Sequence, residues 1–348
     1  MNVLVIGAGA VGSFLGATLA EAGETVCLLR RSGTAGFRQE MLTLGEPSGD
    51  VRDVQVGVAG SVDAVPWMPD ILLFAVKMPD LPGALETAAH WPAATVLAVE
   101  NGVGADDLIV DERPAAWLIA GSLTASLETD RGTIRRLSRG GLGLARVRGE
   151  GDGLVRELVA AFRSGGVRAA ALSDAQEMRW SKLLANLLGN ATSALLDVDP
   201  EVAYRDPDVF AIERRALREA LAVMRALELR PVALPGADVR LLTVASRLPA
   251  ALVRPIMVRV VARGRGGKSP SLRRHLESGR GPSEVSWLNG AVDRAARLVG
   301  RRAPVNLRLS ELVEECTRDP ERRAWFRGRP DRLAQEFSTP EGDVTRPV

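Results

Sequence analysis

The chain is poor in cysteine, histidine, tyrosine and lysine. Its 348 residues hold two cysteines, two histidines and one tyrosine. Cys27 and Cys316 stand far apart without metal-ligand spacing, so no metal site is expected, and so few thiols point to a reducing, cytoplasmic compartment. Aromatic residues make up 4% of the chain, and they do not interleave with its arginines. With a formal charge of only +2, nothing in this balance draws the protein to nucleic acid. Proline or arginine breaks every apolar stretch well short of the ~18 residues that a membrane helix needs. No cationic leader precedes the first apolar run, and glycine interrupts that run at once, so it reads as a buried strand and not as a signal peptide.

Lysine is the sharpest shortage. Of 45 basic residues only Lys77, Lys182 and Lys268 are lysines, and the rest are arginine. Where surface cations default to arginine, the remaining lysines are candidates for sites that need an ammonium able to give up a proton. Lys268, in the arginine-rich approach from Gly264, reads as a loop cation.

What is present begins at residue 1. MNVLVIGAGAVG runs from an apolar strand through Gly7, Ala8, Gly9, Ala10, Val11 and Gly12 into a helical stretch from Ser13 to Ala22. Gly7 permits a tight turn, Gly9 has no side chain to keep a pyrophosphate off the backbone, and Gly12 lets helix and strand approach. The helix N-terminus then offers free N–H groups to phosphate. A second strand, Thr25 to Leu29, ends in Arg30 and Arg31 where an NAD-binding chain carries an acid for the ribose 2′-hydroxyl. Guanidiniums there suit a 2′-phosphate, so the expected cofactor is NADPH/NADP, held by Arg31.

Asp70 to Lys77 and Thr95 to Val99 are near-continuous apolar runs of the kind buried in a parallel sheet. Lys77 ends the first, and Glu100, Asn101 and Gly102 follow the second. Ligands lie beyond the carboxyl ends of strands in such sheets, so Gly7, Arg31, Lys77 and Asn101 are expected at one crevice. Trp117 to Ser122 reads as another strand, and Gly132 to Arg139 with Leu142 to Val147 as a hairpin. A helix from Leu154 to Arg163 and a strand from Val167 to Leu172 complete this part.

From Ser173 strand-like runs nearly vanish. Helical periodicities take over at 174–196, 206–227, 236–247, 284–298 and 307–316, while 247–267 reads as helix or ordered loop. The fold class is therefore α/β: an N-terminal Rossmann-type dinucleotide-binding domain over 1–172 and an all-α substrate domain over 173–317. Residues 318–348, charged and proline-containing, read as a loosely attached polar tail. Within the helix over 174–196, Lys182, Asn186 and Asn190 recur every four residues and share one face. Asparagine is poor in a helix interior unless it has something to bond, which points to a ligand or to an interhelical amide network.

These motifs together resemble the ketopantoate reductase family over about residues 1 to 315. The resemblance rests on the glycine turn, Arg31, Lys77, Asn101-Gly102, Thr124 in a Gly-x-x-Thr segment, the Lys182, Asn186, Asn190 ladder, Ser271, Ser283-Glu284-Val285 and Leu288-Asn289-Gly290. It implies NADPH-dependent reduction of 2-dehydropantoate to pantoate, a step of pantothenate and coenzyme A biosynthesis. Lys182 would be the general acid. Asn101, Asn186, Asn190 and Ser271 would hold the substrate, and Glu284 would take a hydroxyl, steady the lysine and border the cofactor. Lys77, Asn101 and Thr124 would join the glycine turn on the cofactor side. The chemistry agrees: charge builds on a ketone oxygen as hydride reaches its carbon, and an ammonium stabilises that charge and supplies the proton.

Departures from the family cluster on the substrate side: His275 stands where Asp is usual, Ser283 replaces Thr, and one extra residue separates Ser271 from Glu284. Reduction of a 2-oxo acid is therefore the broader expectation, with a differently substituted substrate as the alternative. Tyr204 is followed four residues on by Asp208, which removes the Tyr-Lys pair of short-chain dehydrogenases. His90 and His275 sit in a Trp-Pro loop and an arginine-rich segment, poor settings for a His-carboxylate pair. A 3-hydroxyacid dehydrogenase shares the Lys-Asn spacing but leaves Asn190, Ser271 and Glu284 without a role. An NADPH-sensing regulator would have no use for a proton donor. A homodimer stays open.

Overall fold

Val3 to Ile6 are almost wholly buried because the first strand, β1 (Asn2–Ile6), runs between two parallel neighbours. The structure is a computed structural model and describes residues 1–30, 36–264, 271–279 and 283–338. After β1 come α1 (Ala10–Glu21), β2 (Thr25–Leu29), a long hairpin of β3 (Phe37–Gly45) and β4 (Val51–Ala59), β5 (Ile71–Phe74) and α2 (Leu81–Ala88). The chain continues through β6 (Thr95–Ala98), α3 (Ala105–Glu112), β7 (Leu118–Leu123), β8 (Leu127–Asp130), β9 (Thr133–Arg136), β10 (Leu142–Arg148), α4 (Gly153–Ser164) and β11 (Ala169–Ala171).

The parallel strands lie in the order β4-β2-β1-β5-β6-β7. This is the order of a doubly wound nucleotide fold, with its winding reversed between β1 and β5. β3, β9 and β8 extend one edge of the sheet, and β10 and β11 the other. α1 packs against β2, β3, β4, β8 and β9 and against α4. Gly12 through Leu19 are consequently all buried, and the helix carries no charge before Glu21.

The hairpin expected between 132–139 and 142–147 does not form. β9 pairs with β8 and β3, while β10 pairs with β7 and β11. The intervening Gly140 runs against the backbone of Thr124 and Ala125, where a Cβ would lie 2.2 Å from the Ala125 nitrogen. The two strands lie towards opposite edges of the sheet, so they cannot pair with each other.

The remainder comprises α5 (Ala175–Leu187), α6 (Asn190–Leu196), α7 (Pro200–Arg205), α8 (Pro207–Ala226), the two-residue strands β12 (Ala233–Leu234) and β13 (Ala237–Asp238), α9 (Arg240–Arg247) and α10 (Ala250–Gly264). α11 (Ser271–Ser278), α12 (Asn289–Leu298), α13 (Pro304–Arg318), α14 (Pro320–Phe326) and α15 (Pro330–Gln335) follow. Two compact units result: residues 1–185 with 224–244, and residues 186–223 and 245–263 with the described residues from 271 onward. Contacts thus divide the chain inside α5, beyond the boundary expected at 172.

The expected loose tail is in its described part a packed pair of helices, a correction to the sequence reading. Phe326 and Leu333 are fully buried, Asp319 accepts hydrogen bonds from the Glu321 and Arg322 nitrogens, and Arg308 joins Glu315 at 2.8 Å and Glu336 at 2.7 Å. Two apolar anchors within a charged stretch are enough to fasten it.

Candidate active site

The glycine turn after β1 is built for close approach. Gly7 has φ +99°, and a Cβ there would lie 2.7 Å from the Ala75 carbonyl carbon, so only glycine fits. A Cβ on Gly12 would lie 2.2 Å from the Gly7 oxygen, while one on Gly9 would meet nothing within 4 Å. The first and third glycines are closed in by protein and the second opens on free space. α1 starts at Ala10 with no side-chain cap and no acid in its first turn, leaving N–H groups for an anion. Alongside lies a cleft of about 980 Å³ lined by Gly7, Ala8, Arg30, Val76, Asp80 and Thr87 among others. This turn fits a dinucleotide pyrophosphate.

β2, β1, β5 and β6 are parallel neighbours, so the positions after them line one edge of the sheet. Lys77, exposed, lies at the end of β5, and Asn101, also exposed, lies beyond β6. Arg30 is paired with Glu40 of β3, which Arg38 also reaches at 3.0 Å. Partial burial alone would raise the Glu40 carboxyl, but the two guanidiniums outweigh it and hold it below its ordinary value. No acid adjoins Arg30 in the sequence, because its partner arrives from β3. Arg31 and Lys268 lie outside the described residues.

Thr124, half-buried after β7, is tied to the backbone. Its hydroxyl accepts from the Gly141 nitrogen at 2.8 Å and donates towards the carbonyls of Gly141 and Pro235.

A residue that sequence reasoning missed joins α5 to this edge. Arg179 is buried and uses all five guanidinium donors. Nε and Nη2 donate to Asp106 at 3.0 and 2.7 Å, Nη1 to the carbonyls of Glu100 and Gly121 at 2.8 and 3.0 Å, and Nη2 also to that of Ala98 at 3.0 Å. One helical residue thereby grips the ends of β6 and β7 and the first turn of α3. Ala175 and Met178 pack beside it on Ala120, Ala145 and Leu234. Lys182, half-buried, comes three residues after Arg179 on the same helix.

Glu100 is buried next to this anchor, and neither of its carboxylate oxygens meets a hydrogen-bond partner from another of the described residues. Burial pushes its pKa from 4.5 up to about 8, against the pull of Arg179. The folded chain thus holds a proton that the unfolded chain releases, and this contribution to stability is full below pH 4.5 and lost as pH rises through about 8. Glu100→Gln removes the titrating group, so urea midpoints between pH 5 and 8 should fall less steeply for the variant than for the parent. Parallel profiles would refute this assignment.

The expected Lys182, Asn186, Asn190 ladder is not one helix. α5 ends at Leu187, and Gly189, at φ +61°, turns the chain before α6 begins at Asn190. A Cβ on Gly189 would lie 2.9 Å from Pro200 Cβ, and its N–H donates to the buried carboxylate of Glu213 at 3.0 Å. Packing with α7 and α8 therefore sets the break. Asn186 is half-buried near the end of α5.

In the second unit the structure brings Asn190 and Ser271 together. Asn190 Nδ2 lies 3.5 Å from Ser271 Oγ, and its Oδ1 accepts from the Leu272 nitrogen at 3.4 Å. Arg273 reaches Asp197 at 2.8 Å and Asp199 at 3.0 Å, fastening α11 to α6. Glu284, half-buried, opens a short 3₁₀ turn whose preceding Ser283 accepts from the Val285 nitrogen. Among the described residues no group of three or more His, Cys, Asp or Glu is placed to hold a metal, and no helix is long and apolar enough to cross a membrane.

Comparison with known proteins agrees with this architecture. The family described as "Ketopantoate reductase PanE/ApbA" matches residues 3–149, and its C-terminal counterpart, "Ketopantoate reductase PanE/ApbA C terminal", matches residues 174–317. A 2-dehydropantoate 2-reductase of Halobacterium salinarum is 29% identical over 323 residues, spanning 92% of this chain and 100% of that protein. The crystal structure of a PanE/ApbA family ketopantoate reductase from Ralstonia eutropha is 27% identical with a TM-score of 0.74, covering 92% of this chain and 99% of that one. A D-mandelate dehydrogenase solved with NADH and anilino(oxo)acetate, 19% identical, shares the fold with a TM-score of 0.72 over 91% of this chain and 98% of its own. With both halves of the family pattern matched across an N-terminal nucleotide fold and a helical C-terminal region, the chain belongs to the ketopantoate reductase family of nicotinamide-dependent oxidoreductases.

Proposed function

We propose that the protein reduces a 2-oxo acid to a 2-hydroxy acid with NADPH, and that 2-dehydropantoate is its substrate. The observation that carries this reading is the anchoring of α5. A scarce lysine follows by three residues an arginine that grips the ends of β6 and β7, on the sheet edge where the open glycine turn also lies. A reduced nicotinamide, when bound, supplies hydride to the carbonyl carbon. Lys182 donates the proton to the carbonyl oxygen and, while charged, stabilises the negative charge growing there. Asn101, Asn186, Asn190 and Ser271 orient the acid, and Glu284 receives a hydroxyl and steadies Lys182. The backbone from Gly7 to Gly12 takes the pyrophosphate, Arg31 the 2′-phosphate, and Lys77 and Thr124 border the same molecule.

The test is a steady-state comparison of 2-dehydropantoate with other branched 2-oxo acids, each with NADPH and NADH. Both cofactors belong in it because the D-mandelate dehydrogenase of this fold was solved with NADH. 2-Dehydropantoate should give the highest kcat/KM, and a tenfold preference for another acid would reassign the substrate. Arg31→Ala should raise KM for NADPH by about tenfold, the worth of one charge-assisted contact, and leave KM for NADH nearly unchanged. Equal effects on the two would remove Arg31 from cofactor choice.

A further inference from the structure

We infer that a second concavity in the N-terminal unit, at the end of α1 opposite the glycine turn, binds a small multivalent oxyanion. α1 runs from Ala10 to Glu21, so the two sites are separated by about 18 Å of helix at ~1.5 Å per residue. The concavity, about 830 Å³, is lined by Arg52, Arg136, Arg139 and Arg168 together with the acids Glu21 and Glu46.

The ion pairs within it are unevenly distributed. Arg52 reaches Glu21 at 2.6 Å and also pairs with Glu46, and Arg136 pairs with the same Glu46. Two acids therefore answer two arginines. Among the described residues, Arg139 and Arg168 have no acidic partner, and Arg168 Nη2 donates only to the Arg139 carbonyl, at 3.2 Å. That bond holds the two exposed guanidinium-bearing residues side by side. Arg136, a third arginine of the lining, keeps its Nε buried without a hydrogen-bond partner among the described residues. Two unanswered positive charges beside an unsatisfied buried donor, in a hollow large enough for a metabolite, suit an anion with at least two negative oxygens. Guanidinium forks match such oxygens in pairs. Phosphate and carboxylate groups share this chemistry.

The experiment is calorimetric titration of the full-length protein with pyrophosphate and, separately, citrate, with acetate as the monovalent control. One site besides the glycine turn is expected for at least one of the two multivalent ions, with affinity falling as salt rises. If pyrophosphate binds more tightly the ligand carries phosphate, and if citrate does it carries carboxylates. Arg139→Ser with Arg168→Ser should weaken binding about tenfold or more. Both side chains are exposed, and an unchanged melting temperature checks that the double variant folds. Arg301→Ser with Arg302→Ser, which removes an equally exposed pair elsewhere, should leave affinity within twofold. Gly9→Asp, which sets a carboxylate in the glycine turn, should also leave it intact. Binding no stronger than acetate, equal losses in the two double variants, or loss in Gly9→Asp would each overturn the inference.

Discussion

Lys182→Ala is expected to lower kcat by roughly 10²- to 10⁴-fold, the usual contribution of a positioned proton donor. The dissociation constant for NADPH should stay within about twofold of the parent, since the proposed pyrophosphate contacts come from the Gly7 to Gly12 backbone and not from α5. Single-turnover rates and cofactor fluorescence titration measure the two quantities separately. A variant with near-normal turnover would take Lys182 out of the mechanism. One that lost turnover and cofactor affinity together would make it a binding residue. Lys182→Arg sharpens the result: it keeps a cation but offers a proton held too tightly to transfer, so it should be nearly as slow as alanine.

Arg179→Ala is expected to destabilise the protein by about 3–5 kcal/mol, the range for breaking a buried ion pair from one side. The mechanism is specific. Asp106 would keep a carboxylate without its bidentate partner, and the carbonyls of Ala98, Glu100 and Gly121 would lose their donor. Arg179→Lys should recover little, because a single ammonium cannot reproduce five donors in a planar fork. Thermal and urea unfolding of the three proteins measure this, and a change below about 1 kcal/mol in the alanine variant would show that the network is dispensable. Since α5 would lose its grip on β6 and β7, turnover should also fall in whatever fraction remains folded.

The parts of this architecture that sequence disclosed are those in which local pattern and final environment coincide. The glycine turn is legible because its three glycines have distinct steric tasks at fixed spacing, and the structure realises each: Gly7 and Gly12 against backbone, Gly9 against open space. β5 and β6 are legible because burial on both faces demands apolar runs. β3 was missed because its first residues, Phe37 to Glu40, mix apolar and charged side chains, and its ladder with β4 is set by pairing across a turn at Glu46 to Asp50. Arg179 was missed because it is one arginine among dozens, and the acid and carbonyls that bind it come from residues 98 to 121. The break at Gly189 was invisible for a similar reason. A lone glycine is tolerated in a helix, and the groups that leave no room for a Cβ at this one, Pro200 and Tyr204, come from α7.

Because residues 224–244 return to the N-terminal unit, no single cut can excise that unit whole. An expression product ending at 185 would lack the strip that supplies the Pro235 carbonyl to Thr124, the Val232 nitrogen to Ser181 and the Arg230 nitrogen to Glu177. It would also uncover the seat of Leu234 against Met178 and Ala175. To keep these contacts, an isolated half would need the missing strip grafted back as a covalent loop or added as a peptide in trans.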